Sequence, residues 1–262
     1  MRSLSIEEIK RIQKDILQVF ATYCNQMGLR YFLAYGTLIG AIRHKGYIPW
    51  DDDIDVIMPR PDYEVFISNY KDERYQVFCL SNSKDCPFPY AKLYDSKTII
   101  REHTDISYKI GLNIDIFVLD GLPEDLSLAR KHIRKCSFWI NILEAKKISL
   151  SRNRKLIRNA VLLLLKTLVS PIPFSWCMEH LVSLNKKYPF ESFPYCSDLC
   201  YTDALHIDKR VFEDGCKCDF EGNSYPIPLG YDKWLKDVYG DYMKLPPVEK
   251  RVTHHAYEAY MK

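Results

Sequence analysis

The sequence predicts a mixed α/β protein in which helices cover the faces of an open, mixed β-sheet. Short apolar segments that alternate like strands follow one another through residues 1–125, with amphipathic segments of helical spacing between them. A composition that is 47% hydrophobic and 27% charged is typical of a soluble globular protein. No run of eighteen uncharged apolar residues occurs, so no membrane-spanning helix is expected.

A long amphipathic helix is predicted over residues 6–27. Ser5 and Glu8 form a capping box, in which each side chain satisfies a free backbone N–H of the other residue. Apolar side chains recur behind it at helical spacing, and Gly28 is a typical stop.

A strand over residues 29–36 and a short helix over residues 37–44 are predicted next. The strand ends at Gly36 and the helix begins at Thr37. Backbone N–H groups are free at the start of a helix and the helix dipole is positive there. An anion such as phosphate can therefore bind at this turn.

The remaining elements of the first half are shorter. Residues 54–59 alternate like a strand that Pro59 ends, and residues 60–70 are typical of a helix with Asp62 as its cap. The segment "DGLP" at 120–123 is expected to turn. Four further strands are expected within residues 75–81, 90–95, 97–102 and 112–120.

Composition divides the chain into three parts. Residues 1–125 form the mixed α/β core, residues 126–205 a basic helical region, and residues 206–262 a C-terminal extension rich in aromatic residues and turns. Eleven Lys or Arg residues and a single acid, Glu144, lie between Arg130 and Lys166. The net charge of only +3 gives no reason to expect nucleic acid as a partner.

The cysteines predict a reducing compartment. The first seventeen residues lack the apolar core of a signal peptide, so we expect a cytoplasmic protein whose nine cysteines are reduced thiols. The pairs Cys196/Cys200 and Cys216/Cys218 match the usual spacings of zinc ligands poorly, and small buried hydrophobic residues are the favoured interpretation.

The segment "IPWDDDIDVIMP" (48–59) contains four aspartates in five positions. Because side chains alternate along a strand, Asp51, Asp53 and Asp55 are expected on one face, with Asp52 and Ile54 on the other. Burying such carboxylates unpaired would cost several kcal/mol each. Mg²⁺, which prefers hard oxygen ligands, would remove that cost, and Mn²⁺ is an alternative. A solvated acidic loop is the simpler alternative.

A further carboxylate, Asp115, lies in the apolar segment "GLNIDIFVLDG" (111–121). An anion-binding turn followed by a strand of alternating aspartates, with a third acid on a neighbouring strand, is the layout of a nucleotidyltransferase site. The alternative for Asp115 is a structural ion pair with Lys or Arg.

At these residues the sequence resembles a known family. "YGTLIGAIRHKGYIPWDDDIDV" (35–56) resembles the LicD family of phosphotransferases, which includes fukutin-related proteins and belongs to the nucleotidyltransferase-fold superfamily. The segments "NIDIFVLDGLP" (113–123), "YPIPLGYDKWLKDVYGDYMKLPP" (225–247) and "EKRVTHH" (249–255) are similar to it as well. Val118 departs from the family, which commonly has proline there.

The resemblance implies a nucleotidyltransferase-like core with a helical insertion and a C-terminal extension that completes the active site. It implies a phosphotransferase with a CDP-linked donor. The favoured reaction moves phosphocholine from CDP-choline to a hydroxyl of a cell-surface glycan, such as lipopolysaccharide or teichoic acid, and releases CMP. Transfer from CDP-ribitol or CDP-glycerol is the alternative within the family.

The resemblance also assigns residues. Asp53 and Asp55 match the metal-binding pair, and Asp115 matches the third carboxylate, which shares a metal or takes the proton of the acceptor hydroxyl. Gly36 and Thr37 match the phosphate-facing turn.

Donor-binding residues are expected beside the carboxylates. Arg43 and Lys92 are candidates for binding phosphate oxygens, and surface charges are the alternative for both. Arg251, His254 and His255 belong to a matching tail that is expected to close over the donor. Choline is held by aromatic faces, and Tyr47 and Trp50 are the aromatic residues nearest in sequence.

Two other classes of function stay open at this level. A metal-dependent glycosyltransferase with a D-x-D motif would use a sugar nucleotide and Mn²⁺, but the Thr37 turn ahead of the acids argues for a nucleotidyltransferase fold. A non-catalytic binding module would not need Asp53, Asp55 and Asp115.

The acceptor is expected to be a lipid-linked glycan at the inner face of the membrane. Residues 130–166 combine basic and apolar side chains, including Phe138, Trp139, Ile140, Ile142, Leu143 and the run Leu162–Leu165. Such a helix docks peripherally on a bilayer, or it packs its apolar face on the enzyme core.

Overall fold

The structure of the protein, a computed structural model, describes residues 1–102, 110–147, 156–251 and 257–262. It confirms the mixed α/β class. Seven α-helices are described: α1 (Ile6–Met27), α2 (Tyr35–His44), α3 (Arg60–Asn69), α4 (Leu126–Lys147), α5 (Leu156–Val169), α6 (Phe174–Asn185) and α7 (Tyr231–Tyr239).

The described strands, numbered along the chain, are β1 (Arg2–Ser3), β2 (Phe32–Leu33), β3 (Asp55–Pro59), β4 (Tyr75–Phe78), β5 (Ala91–Asp95), β6 (Thr98–Glu102), β7 (Asn113–Leu122), β8 (Tyr195–Asp198), β9 (Ile207–Asp208), β10 (Gly215–Phe220), β11 (Asn223–Pro228) and β12 (Tyr257–Met261). Most form one mixed sheet in the order β2-β3-β7-β5-β4, and β8 also pairs with β7 and then with β9. Within it β3 and β7 are parallel, and the other pairs are antiparallel.

Two smaller sheets complete the fold. The C-terminal strand β12 lies between β1 and β6, so the two ends of the described chain meet in one sheet. Strands β10 and β11 form a hairpin that packs against β2. The buried residues of the sheets, α1, α2, α3 and α7 form one core.

A helical lobe, defined here as α4, α5 and α6, has a separate small core. Buried residues of α4 and α6, among them Cys136, Ile140, Leu143 and Leu181, pack together with Leu199. No helix among the described residues combines the length and the apolar character that crossing a bilayer requires.

The first helix forms as the sequence predicts. Ser5 Oγ accepts a hydrogen bond from Glu8 N at 3.3 Å, and Glu8 Oε2 accepts one from Ser5 N at 2.9 Å. Gly28 ends the helix at φ 65°, a left-handed conformation that glycine adopts without strain.

Several local predictions are wrong. The strand expected over residues 29–36 is confined to Phe32–Leu33, and the helix begins at Tyr35, two residues before Thr37. Thr37 Oγ1 instead accepts a hydrogen bond from Asp55 N at 2.8 Å, which ties the helix to β3. Asp62 does not cap α3, because its carboxylate accepts from Arg30 N at 3.0 Å and Arg30 Nε at 2.9 Å.

The segment 120–123 does not turn. Strand β7 continues to Leu122, and Asp120 to Leu122 pair with β8. Asp120 also accepts two hydrogen bonds from Arg60, at 2.7 and 2.6 Å. A Cβ atom on Gly121 would lie 2.5 Å from the carbonyl oxygen of Tyr188, so glycine here allows close packing within a strand.

Candidate active site

The sheet brings three of the candidate residues into one row. Strands β3 and β7 are parallel, and their register places Asp55 directly beside Asp115. On the other side of β7, the antiparallel strand β5 places Lys92 beside Asp115. Neighbouring residues in register project to the same face of a sheet. Asp55, Asp115 and Lys92 therefore form a charged row across three adjacent strands.

The start of α2 closes over this row. The Thr37 hydroxyl accepts a hydrogen bond from the backbone N–H of Asp55. The backbone N–H of Ala34, just before the helix, donates to the carbonyl of Asp55 at 3.0 Å. A Cβ atom on Gly36 would lie 2.7 Å from Asp51 Oδ2, which is too close for any larger residue without a shift. Gly36 and Thr37 thus adjoin the acidic segment, as the sequence predicts.

The aspartates of residues 51–55 gather at one cavity. It has a volume of about 650 Å³, and Gly36, Asp51, Asp53 and Asp55 contribute to its lining. Asp52 is buried and is not part of that lining. The cavity is therefore built from the alternating residues expected on one face.

The cause of this grouping differs from the expected one. Residues 51–54 are not part of a strand, because β3 begins at Asp55. One carboxylate oxygen each of Asp51, Asp52 and Asp53 lies within 4.8 Å of the others. Asp52 is consequently closer to its neighbours than strand alternation predicts.

The electrostatics of Asp55 are unfavourable for an isolated carboxylate. Burial, followed by the negative charges of Asp53, Asp115 and Asp51, raises the pKa of Asp55 well above its usual range, and Lys92 opposes this only in part. A cluster of buried and half-buried oxygen donors fits a hard divalent cation such as Mg²⁺. Within the described ranges, Asp51 to Asp53 form the only group of three or more potential metal ligands that lie this close together.

Lys92 contacts a carboxylate in this structure. Its Nζ lies 2.5 Å from Asp115 Oδ1 and 3.3 Å from Asn113 Oδ1, and it lies 4.6 Å from the centre of the Phe88 ring. The ion pair that was the alternative interpretation of Asp115 is therefore present. It holds the Asp115 carboxylate in place beside Asp55.

Arg43 and Arg251 both lie outside the cavity lining. Arg43 donates to the carbonyl of Tyr242 at 2.6 Å, and the Arg251 guanidinium lies 5.4 Å from the Trp50 ring centre. Burial and the positive charge of Arg251 lower the pKa of Arg43. Each guanidinium group can bind an anion such as phosphate. His254 and His255 lie outside the described residues.

The aromatic residues expected near the site are replaced by others. Tyr47 is buried and its hydroxyl lies 3.1 Å from Gln13 Oε1, whereas Trp50 packs beside Arg251, and neither belongs to the cavity lining. The aromatic residues that do line it are Tyr35, Tyr201, Trp234 and Tyr239. The backbone of Tyr35 has φ 46°, a left-handed conformation that tyrosine rarely adopts.

Sequence reasoning missed several of these lining residues for identifiable reasons. Trp234 and Tyr239 belong to the matching segment 225–247, which offered a signal. Tyr35 also lies in a quoted motif, and its hydroxyl donates to Asp198 Oδ2 at 2.5 Å. Asp198 and Tyr201 come from the middle of the chain, which matches the family less specifically and gives no such signal.

The two cysteine pairs are not brought together. Cys196 and Cys200 are buried, and Cys216 and Cys218 are half-buried on β10. All nine cysteines are free thiols in this structure. The four do not form a group with metal-binding spacing among the described residues.

Comparison with known proteins identifies a family. The model of the family "LicD/FKTN/FKRP, nucleotidyltransferase domain" matches residues 28–120, which include Gly36, Thr37 and the three candidate carboxylates. The chain is 33% identical, over the full length of both proteins, to the lipopolysaccharide cholinephosphotransferase LicD of Haemophilus influenzae.

Two shorter similarities involve uncharacterized proteins. One, from Rickettsia typhi, is 35% identical over 79 residues, which cover 29% of this chain and 23% of that protein. Another, from Rickettsia prowazekii, is 54% identical over 55 residues, or 21% and 18% of the two chains. The mixed α/β fold has an acidic cavity, and the matched family model describes a nucleotidyltransferase domain. The full-length similarity goes further, and the protein belongs to the LicD family.

Proposed function

We propose that this protein is a metal-dependent phosphotransferase that moves phosphocholine from CDP-choline to a hydroxyl of a lipopolysaccharide-type glycan and releases CMP. The observation that carries the proposal is the row formed by Asp55 and Asp115 beside Asp53 and the start of α2. The full-length similarity to a lipopolysaccharide cholinephosphotransferase supports the choice of head group and acceptor.

The carboxylates provide the ligands for the metal. Asp53 and Asp55 would hold Mg²⁺, with Mn²⁺ as an alternative, and the cation would neutralise the charge of the diphosphate. The raised pKa of Asp55 supports this assignment, because repulsion among these carboxylates is relieved by a bound cation.

The remaining residues position the donor and move the proton. Backbone N–H groups at Gly36 and Thr37 face the phosphates, and Arg43 with Arg251 binds the nucleotide side of the donor. The acceptor oxygen forms a bond to the phosphorus that carries choline, while the bond from that phosphorus to the CMP oxygen breaks. Asp115 accepts the hydroxyl proton, and Lys92 holds its carboxylate in position.

The acceptor side is assigned to the helical lobe. Three exposed leucines of α5, Leu163, Leu164 and Leu168, lie on the same lobe as the exposed basic residues Arg134 and Lys135 of α4. Apolar and basic side chains together bind the interface of an anionic bilayer. The protein would then dock peripherally at the inner face of the membrane, where a lipid-linked glycan is available.

The lobe surface is smaller than the sequence suggests. Ile140 and Leu143 are buried in the small core of the lobe, and Trp139 and Ile142 are partly buried against it. Phe138 remains exposed on α4. The docking surface therefore consists of α5 and the exposed positions of α4.

A donor panel tests the proposal. The purified protein is incubated with a glycan acceptor, Mg²⁺ and, in turn, CDP-choline, CDP-ribitol, CDP-glycerol and a UDP-sugar, and released nucleotide is measured. We expect CMP from CDP-choline and none after EDTA treatment. CMP released only from CDP-ribitol or CDP-glycerol would show that the transferred head group is not choline. Release of UDP would indicate a glycosyltransferase. No release of nucleotide from any donor would indicate a binding module.

A further inference from the structure

The cavity beside the carboxylate row has an unusual charge. The charged side chains that line it, among the described residues, are all aspartates: Asp51, Asp53, Asp55, Asp198, Asp203 and Asp237. A bound Mg²⁺ would account for the aspartates of residues 51–55. Asp198 is held by the Tyr35 hydroxyl, and Asp237 lies 2.5 Å from Lys233 Nζ. Asp203 is exposed and no ion pair of its side chain is seen among the described residues, so the cavity that it lines favours a cationic ligand.

Besides Tyr35, three aromatic side chains line the same cavity. Tyr201 follows β8, and Trp234 and Tyr239 lie on α7. Both tyrosines are accessible, with 44% and 46% of their surface exposed. Trp234 is fixed in position, because its ring packs edge-on against the ring of Phe212, with 4.9 Å between the two ring centres. Rings from two separate elements thus face one space.

The cavity places these rings beside the aspartates that would hold the metal. Burial and the charges of Asp55, Asp51, Asp53 and Asp203 raise the pKa of Tyr239. Burial, then Asp198, Asp55 and Asp115, raises the pKa of Tyr201. Both phenols therefore stay protonated at neutral pH, and their rings remain uncharged.

The chemistry of the proposed donor meets these conditions. In phosphocholine only a short ethyl linker separates the phosphate from the trimethylammonium group, so the cation must lie near the metal-bound phosphate. A quaternary ammonium donates no N–H hydrogen bond and is recognised by aromatic faces and nearby negative charge. A polyol head group would instead require hydrogen-bonding partners for each hydroxyl.

We propose that Tyr201, Trp234 and Tyr239, together with Asp203, form a head-group subsite that binds the trimethylammonium of the donor and selects choline over uncharged alcohols. This inference rests on the proposed CDP-choline donor. It assigns the choice of head group to α7 and the loop after β8, away from Tyr47 and Trp50.

Binding measured without acceptor tests the subsite directly. Calorimetry in Mg²⁺ compares CDP-choline, CDP-glycerol and CDP on the wild type, Tyr239→Leu and Tyr239→Phe. We expect the wild type to bind CDP-choline about tenfold more tightly than CDP-glycerol. Tyr239→Leu should abolish most of that preference, whereas Tyr239→Phe, which keeps the ring, should retain it. The affinity for CDP, which has no head group, should stay within about twofold in both variants because the nucleotide binds elsewhere.

A second position guards against a local effect of one substitution. Tyr201→Leu and Asp203→Asn should each reduce the preference, and circular dichroism should show intact folds because both side chains are exposed. Equal binding of CDP-choline and CDP-glycerol by the wild type, or a preference unchanged by Tyr239→Leu and Tyr201→Leu, would overturn the subsite.

Turnover separates this inference from the proposed function. If the wild type releases CMP from CDP-choline and Tyr239→Leu leaves the KM ratio of CDP-choline to CDP-glycerol unchanged, the subsite is wrong and the function stands. If no CMP is released from CDP-choline but the binding preference exists and depends on Tyr239, the function is wrong and the subsite stands.

Discussion

The sheet core and the helical lobe place their charges in opposite environments. In the core, Arg60 and Asp120 are buried and pair with each other, and Asp55 is buried beside Asp115. In the lobe, Arg134 and Lys135 are exposed to solvent, as is Leu168, at 66% of its surface. A buried charge needs a compensating partner, whereas an exposed one does not. Charged residues buried in the core therefore have a catalytic or a structural role, whereas the exposed charged residues of the lobe belong to a solvent-facing surface.

The largest expected effect concerns the metal-binding pair. Asp53→Asn and Asp55→Asn each keep the volume of the side chain and remove one negative charge. We expect turnover to fall by about 10²–10³-fold or more, because charge neutralisation at the phosphate is lost. CMP release under saturating Mg²⁺ measures this, with circular dichroism to confirm the fold.

Asp52→Asn tests whether the cavity-lining aspartates alone bind the metal. Asp52 is outside the cavity lining, so its loss should be much smaller. A loss equal to that of Asp53→Asn would show that Asp52 is itself a ligand. Thermal unfolding gives an independent readout. Without metal, Asp55→Asn should unfold at a higher temperature than the wild type, because repulsion among the aspartates is reduced. Mg²⁺ should stabilise the wild type more than the variant and so reduce the difference in unfolding temperature.

The next effect concerns stability and sharpens the contrast between the two regions. Arg60→Met leaves Asp120, which is 1% exposed, without its bidentate partner. We expect a loss of about 3–5 kcal/mol in the free energy of unfolding. Arg134→Met on the exposed face of α4 should change it by less than about 0.5 kcal/mol. Urea denaturation measures both, and similar losses at the two positions would contradict the distinction between core and lobe.

A smaller loss of activity is expected at Asp115. Asp115→Ala should lower turnover by about 10²-fold while changing donor affinity little, because a base acts in the transition state. Lys92→Met should lower turnover less, since it removes only the group that holds this carboxylate. Steady-state kcat and donor Kd separate the two quantities. Weakened donor binding at unchanged turnover would assign Asp115 to ground-state binding.

The sequence predicts local features better than it predicts tertiary partners. The helix over residues 6–27 is correct because its start and stop are encoded within a few residues, at Ser5, Glu8 and Gly28. The continuation of β7 through Gly121 was missed because it depends on β8, about 75 residues further along the chain. The same holds for Asp62, whose partner Arg30 is reached only through the fold.

The candidate site divides in the same way. Gly36, Thr37, Asp53 and Asp55 come from one continuous motif, and their proximity could be predicted. Lys92 lies beside Asp115 because strands β5 and β7 pair, and this pairing cannot be read from the order of residues along the chain. Tyr201 and Asp203 reach the cavity from a region without a recognisable motif, so only the three-dimensional structure identifies them.

The smallest expected effect concerns the lobe, and it decides whether its exposed surface has a function. Leu164 and Leu168 are one helical turn apart on α5 and are 60% and 66% exposed. Substituting both by serine should leave stability and CMP release with a soluble acceptor unchanged, because neither side chain supports the core. Binding to anionic vesicles should weaken, and Arg134→Gln with Lys135→Gln should weaken it by about 1 kcal/mol per residue.

Vesicle co-sedimentation at low and high salt distinguishes the two contributions. Binding that the glutamine variants weaken and that high salt suppresses assigns docking to the basic residues of α4, since exposed charges are screened. Binding that persists in high salt and is lost in the double serine variant assigns docking to the leucines of α5. If the wild type does not sediment with anionic vesicles at low salt, the lobe is not a membrane surface. The exposed basic residues of α4 would then only keep the helical lobe soluble. The core and the lobe would differ only in how far their charges are exposed to water.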